Sequence, residues 1–373
     1  MTLDEEMVGQ TERLIRFIKE ADWGAMPSDE AFGDLALRSF RLQCRTIPAY
    51  GAYARHVGCA PEQVRDWRDV PPAPASAFKT HDLSAAPKDA AILFETSGTT
   101  ISTPGRVRLG STDLYEISLL ENFAEHLLPD GARLDAVVFG PTVAAAPRSS
   151  LWFMVDRVVS FFCGWAAWGV AGGEPNWDWL DAALLQASSE GEPVLLLGTT
   201  LLFHAYFERC DRREVRFSLP PGSRAMDTGG AKGFRVALER ATIEADFARV
   251  LGIPSTHVVN EYGMAEMGSQ FYDDSYLATH QRRAIRPGKR IPPWVRTRVL
   301  DPETMDEVGD GVSGVLVHYD LANLEIPLAI QTEDLGIRQG VRLLIEGRLP
   351  EAERRGCSLP FERFAERERA GER

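Results

Sequence analysis

The chain has 373 residues, the apolar and charged content of an ordinary soluble globular protein, and a formal net charge of −13. That length leaves room for two packed lobes, and the acidic balance disfavours a polyanionic partner such as nucleic acid. No apolar run reaches membrane-spanning length, and Met1-Thr2-Leu3-Asp4-Glu5-Glu6 is acidic where a signal peptide is basic and then apolar.

The first segment, to about Trp67, reads as helices: Leu14, Phe17 and Ile18 recur at helical spacing, and Phe40, Tyr50 and Tyr53 continue an apolar face. Val70-Pro71-Pro72-Ala73-Pro74 then breaks the chain, as a linker or an extended surface segment leading to the first strand. That strand is Ala91–Phe94. It runs into Glu95-Thr96-Ser97-Gly98-Thr99-Thr100 and on through Ile101-Ser102-Thr103-Pro104-Gly105-Arg106, and Val107-Arg108-Leu109 reads as a second strand. Small residues in such a loop let backbone N–H groups face outward, and the hydroxyls add donors for phosphate oxygens. Thr96, Ser97, Gly98, Thr99 and Thr100 are the candidate phosphate ligands. A Walker A loop is excluded, because the Gly-Lys-Ser/Thr ending and the following helix are both missing.

Further strands are predicted at Leu134–Gly140, Val194–Gly198, Ser223–Met226 and His257–Asn260. Helices fall between them: Asp113–Leu128 stopped by Pro129, the apolar Ser149–Phe162, and Phe234–Leu251 capped by Gly252. This alternation predicts an α/β lobe with largely parallel strands and a site beyond their carboxyl ends. After Pro287, Val295–Val299, Gly314–Tyr319 and Val341–Ile345 read as a small antiparallel β-subdomain. The expected division is a helical segment 1–90, an α/β core 91–286, a β-rich part 287–346 and a short tail 347–373.

The cysteines (Cys44, Cys59, Cys163, Cys210, Cys357) are odd in number and form no C-x-x-C pair, which argues against a disulfide framework or zinc site and for a reducing cytoplasm. Lysine is scarce, so Lys19, Lys79, Lys88, Lys232 and Lys289 are the whole field for any catalytic ammonium.

Four motifs fall where a nucleotide site needs them. In Met226-Asp227-Thr228-Gly229-Gly230-Ala231-Lys232, adjacent glycines let a flat ring lie against the backbone; alone, this is an ordinary strand–helix turn. In Asn260-Glu261-Tyr262-Gly263-Met264-Ala265-Glu266, Tyr262 can stack on an adenine and Glu266 can bind a hard cation bridging phosphates. Asp334, in Gln331-Thr332-Glu333-Asp334-Leu335-Gly336, can accept ribose hydroxyls, and Arg348 after Gly347 can reach ribose or phosphate oxygens. Taken singly, each has a bland reading as core tyrosine, solvated glutamate or surface turn.

These motifs follow the order of the adenylate-forming superfamily. Within it the chain resembles the acyl-protein synthetase (LuxE) family, and more distantly the phenylacetate–CoA ligases. The signatures are Asn260-Glu261-Tyr262-Gly263-Met264-Ala265-Glu266-Met267-Gly268-Ser269-Gln270, Pro147-Arg148-Ser149-Ser150-Leu151 and Arg355-Gly356-Cys357-Ser358-Leu359. The resemblance covers nearly the whole chain. It implies an α/β N-terminal lobe with a small β-subdomain, and ATP- and Mg²⁺-dependent activation of a carboxylic acid to an acyl-adenylate. The acyl group then passes to a thiol. Cys357 matches the family's C-terminal acceptor, and the neighbouring Arg354 and Arg355 would favour its thiolate. The resemblance also implies cofactor roles for Thr96–Thr100, Gly229, Gly230, Ala231, Glu261, Tyr262, Gly263, Asp334 and Arg348, with Glu266 on the metal.

Two departures accompany it. Ile101-Ser102 stands where many relatives have a glycine, and only a short tail follows Arg348 where most carry a mobile C-terminal lobe with a lysine. Lys232 and Arg106 are the local candidates for that charge. Three acceptors are open: Cys357 itself, coenzyme A, or an acyl carrier protein. An acyl reductase is the expected downstream partner. A different class of reading, a non-catalytic nucleotide- or acyl-binding partner of a reductase complex, is favoured by the short tail. Trp152, Phe153, Phe161, Phe162 and Trp165 can line an apolar acid pocket, or be plain core.

Overall fold

Three helices open the chain, α1 (Leu3–Lys19), α2 (Asp29–Thr46) and α3 (Pro48–His56). α1 starts at a capping box, the Thr2 hydroxyl accepting from the Glu5 amide while the Glu5 carboxylate accepts from the Thr2 amide. Leu14, Ile18, Phe40, Tyr50 and Tyr53 are buried, as their spacing predicts, while Phe17 is half-buried. The computed structural model describes residues 2–89, 92–96, 104–229 and 239–349, with Phe361 and Phe364. It divides into two compact units: Met1–Ser118, Met264–Ser269 and Arg290–Arg373 form one, Leu119–Gly263 and Gln270–Lys289 the other. The helical segment and the β-rich part, which the sequence reading separates, belong to the same unit.

In the first unit, β1 (Ile92–Glu95) and β2 (Arg106–Leu109) form the antiparallel hairpin expected around the hydroxyl-rich loop. The proline-rich segment before it is not a surface linker. Val70, Pro71, Ala73 and Pro74 are buried, and the Pro71 carbonyl accepts from the Tyr50 hydroxyl at 2.8 Å. A donor from elsewhere makes that run affordable to bury, since proline brings no N–H of its own to satisfy.

α4 (Asp113–Leu127) carries the boundary into the second unit. There β3 (Asp135–Pro141), β4 (Ala166–Ala171), β5 (Val194–Thr199), β6 (Arg224–Thr228) and β7 (Val258–Tyr262) make a parallel sheet in the order β4-β3-β5-β6-β7. β8 (Phe271–Asp273) joins β7 antiparallel. Leu195, Leu196 and Leu197 are fully buried, so both faces of β5 are covered and its sequence does not alternate. The intervening helices are α5 (Ser150–Phe162), α6 (Trp177–Glu190), α7 (Thr200–Arg212) and α8 (Arg240–Asp246). α8 widens into a π turn over Phe247–Leu251 and ends at Gly252, whose φ of +73° is the left-handed cap foreseen from sequence. Phe203, Tyr206, Phe207 and Phe247 form the aromatic heart of this unit's core.

β9 (Val295–Leu300), β10 (Ser313–Asp320), β11 (Ala329–Gln339) and β12 (Arg342–Arg348) complete the first unit as an antiparallel meander. Ala73 and Pro74 pair in parallel with Ile330 and Gln331 of β11. Among the described residues, no helix is long and apolar enough to cross a membrane.

Candidate active site

The β1–β2 hairpin is closed at its neck by one residue. The Thr96 amide donates to the Gly105 carbonyl at 2.9 Å, and the Gly105 amide donates back to the Thr96 hydroxyl at 2.9 Å. A Cβ on residue 105 would come within 3.1 Å of the Thr96 methyl, so glycine suits the crossing. Thr96 is therefore the structural gatepost of the loop. Ser97, Gly98, Thr99 and Thr100 lie outside the described residues, as do Gly230, Ala231, Lys232 and Cys357. Arg106 is Glu95's register partner; its exposed guanidinium lies 3.8 Å from that carboxylate.

In the second unit, the ends of β6 and β7 carry the glycine and tyrosine motifs. Gly229 is exposed with φ +82°, a conformation that strains other residues. Glu261 is buried, and its carboxylate accepts from the Thr228 hydroxyl across the two strands. A Cβ at Gly263 would sit 2.3 Å from Glu261 Oε1, so any other residue after Tyr262 would have to displace that carboxylate. The Tyr262 ring lies 5.8 Å from Phe271.

Below these residues runs a polar network that sequence reasoning missed. The fully buried Asp227 accepts from the Thr200 hydroxyl at 2.7 Å, from the Asn260 side-chain Nδ2 at 3.2 Å and from Arg240. The Lys289 ammonium donates to Asn260 Oδ1 at 2.7 Å, to the Asn260 carbonyl at 2.8 Å and to Asp273 at 3.2 Å. Three acceptors engage its three protons, so Lys289 ties strands together. Asp227 and Asn260 stood inside the quoted motifs; the signal available was a polar residue at each strand end.

The first unit holds the remaining candidates. Glu266 is buried, and Asn323 bonds to its main-chain carbonyl at 3.0 Å. Asp334 and Arg348 meet, Arg348 Nε lying 3.2 Å from Asp334 Oδ1. Gly347, with φ +146°, sits where the β11–β12 register shifts. Asp320, unnoticed in the sequence, is fully buried at the end of β10. Its Oδ1 accepts from the Ser269 hydroxyl at 2.7 Å and the Ala322 amide at 2.9 Å, and burial pushes its carboxyl up to about 6.

Among the described residues no group of three or more His, Cys, Asp or Glu could hold a metal by itself. A single buried carboxylate such as Glu266 fits a cation that takes one or two protein ligands and completes its shell with phosphate oxygens. The aromatic cluster does not line one pocket. Trp152 is buried against Gly140, whereas Phe161 and Trp165 are exposed.

The family described as acyl-protein synthetase, LuxE, matches residues 22–364. A long-chain-fatty-acid–luciferin-component ligase of Vibrio harveyi is 22% identical over 353 residues, covering 90% of this chain and 89% of the relative. Its Aliivibrio fischeri counterpart is 24% identical over 187 residues, 47% of each chain. Among solved structures, 2-hydroxyisobutyryl-CoA ligase in its postadenylation state with 2-HIB-AMP has a TM-score of 0.63 at 16% identity, covering 87% of this chain and 69% of that one. An open conformation of that ligase with 2-HIB-AMP and CoA gives 0.61 at 17% identity, covering 87% and 76%. At such identities the structural likeness is one of fold.

Proposed function

Since the chain belongs to the acyl-protein synthetase (LuxE) family, we propose that it condenses a carboxylic acid, fatty or aromatic, with ATP and passes the acyl group to a thiol. One carboxylate oxygen of the acid attacks the α-phosphorus, the bond to the bridging oxygen breaks, and pyrophosphate leaves. A thiolate then attacks the acyl carbon and AMP leaves. The observation that carries this reading is the extent of the family match. Residues 22–364 take in every candidate position, from Thr96 to Cys357.

In this reading Thr96, Ser97, Gly98, Thr99 and Thr100 hold phosphates, and Gly229, Gly230, Ala231 and Tyr262 enclose the adenine. Glu261 and Gly263 shape that end of the strand. Asp334 takes the ribose hydroxyls, with Arg348 beside it. Mg²⁺, held by Glu266 and phosphate oxygens, supplies charge neutralisation when bound. Lys232 and Arg106 are this chain's own cations for the charge that builds on the phosphorus. Preorganised donors and cations of this kind do most of the work in such a step.

The thiol of this reading is Cys357. Burial raises the thiol pKa at Cys44, Cys163, Cys210 and Cys59, reaching about 12 at the first two, so none of the four is poised as a thiolate. A cytoplasmic setting suits free thiols, and an acyl reductase would consume the product.

Acid-dependent ATP–pyrophosphate exchange tests the proposal. A panel of fatty and aromatic acids should reveal at least one that drives exchange in the presence of Mg²⁺. No exchange with any acid would leave a nucleotide- or acyl-binding role instead.

A further inference from the structure

One side chain holds the main chain on either side of Met267. Asn323 Nδ2 donates to the Glu266 carbonyl at 3.0 Å and to the Pro327 carbonyl at 3.2 Å, while Oδ1 accepts from the Gly268 amide at 2.8 Å. A side-chain amide offers two donor protons and an acceptor in a fixed relation, enough for all three bonds. Asn323 is 2% exposed, so these bonds act in a low dielectric. The approach is close. A Cβ on residue 268 would lie 2.8 Å from the Ala322 Cβ and 3.1 Å from the Ala322 carbonyl oxygen.

The loop that carries Asn323 is fixed in turn from α2. The fully buried Gln43 shares its two Nε2 protons among the carbonyls of Ile326 at 2.7 Å, Asn323 at 2.9 Å and Leu324 at 3.2 Å. Its Oε1 accepts from the Leu328 amide at 3.0 Å. Four main-chain groups of the loop thus depend on one glutamine. Residues 43, 266–268 and 322–328 are distant in sequence but lie within one compact unit.

We infer that Asn323 is a positioning residue for the Glu266 carboxylate, with Gln43 as the anchor of the loop that bears it. Fixing the main chain at Glu266 and again at Gly268 restricts the backbone dihedrals that aim the Glu266 side chain. A small cation with strict octahedral demands penalises a carboxylate that wanders. The inference rests on the proposed role of Glu266 at the metal, and it gives the N-terminal helices a part in the site.

The test compares Asn323→Ala, Asn323→Asp and Glu266→Gln in acid-dependent pyrophosphate release titrated with Mg²⁺, alongside hydrogen exchange over residues 264–270. Asn323→Ala should raise the half-saturating Mg²⁺ concentration about tenfold. Excess Mg²⁺ should restore most of the turnover, and exchange at the Gly268 amide should quicken. Asn323→Asp keeps the acceptor for Gly268 and loses the donor to Glu266, so it should fall between; it carries the test if the alanine variant does not fold. Glu266→Gln should raise the Mg²⁺ requirement further, without rescue. If Glu266→Gln leaves the Mg²⁺ dependence unchanged, the metal reading fails and the inference falls with it. If Glu266→Gln shifts it while both Asn323 variants leave it at wild type, the inference alone is overturned.

Discussion

Arg348 and Asp334 are register partners on β12 and β11, and the guanidinium Nε lies 3.2 Å from the carboxylate. Arg348 also lies 3.8 Å from Glu333, and its side chain is well exposed while that of Asp334 is buried. The buried partner is thus fixed and the exposed one is free to take other rotamers. If Asp334 accepts both ribose hydroxyls, Asp334→Ala should raise KM for ATP by about tenfold or more, the worth of a hydrogen bond to a charged group. Arg348→Met should change that KM by less. Initial-rate kinetics at saturating acid would show it, and equal effects of the two variants would contradict the assignment.

Gly263→Ala should disturb the site from within. The new methyl would lie 2.3 Å from Glu261 Oε1, and that carboxylate is held by the Thr228 hydroxyl. Overpacking of this kind costs roughly 1–3 kcal/mol. Thermal unfolding should show a lowered Tm. In a Thr228→Val background Glu261 can yield, so the same substitution should cost less there. Strict additivity of the two changes would mean that the contact is not what matters.

Cys357→Ser should separate the two half-reactions. Adenylate formation should continue, because the thiol acts only after it. Covalent acyl-protein should vanish, because an unassisted serine hydroxyl is a far weaker nucleophile than a thiolate. Intact mass after incubation with ATP and a substrate acid should show one acyl addition on the wild type, removable by hydroxylamine. Adenylate without that addition would assign the acceptor to another molecule, coenzyme A or a carrier protein.

Asp320 predicts a pH dependence of stability. Burial raises its carboxyl from the ordinary 3.8 to about 6. Between those values the folded state holds a proton that the unfolded state has lost. Stability from this group is therefore complete below about pH 4, declines as pH rises to about 6, and is flat above. Asp320→Asn, neutral throughout, should gain on the wild type over that window, by an amount on the order of 3 kcal/mol. The difference in Tm between variant and wild type, measured from pH 3.5 to 8, should rise and then level. A flat difference would place the Asp320 pKa near its ordinary value.

Much of the fold was legible in the sequence because its signals are local. Gly252 ends its helix by left-handed geometry, and the leucines of β5 read as a strand because buried parallel strands need no alternation. The two short strands that flank the hydroxyl-rich segment were equally plain. β4 was not legible. Ala166-Ala167-Trp168-Gly169 has little intrinsic β character and becomes a strand by pairing with β3.

Only the tertiary structure decided which polar residues work together. Lys289 is one of the lysines that the sequence offers for catalysis, but in the fold its ammonium is engaged by Asn260 and Asp273. The proline-rich segment looked like a surface linker until β11 and the Tyr50 hydroxyl took up its polar groups. Gln43, in an ordinary amphipathic helix, has no sequence feature that announces a grip on residues 323–328. Helix and strand signals come from dihedral preference and apolar period, which neighbouring residues carry. A buried amide or carboxylate takes its role from whichever polar groups the folded chain places beside it, and for Gln43 those lie about 280 residues away.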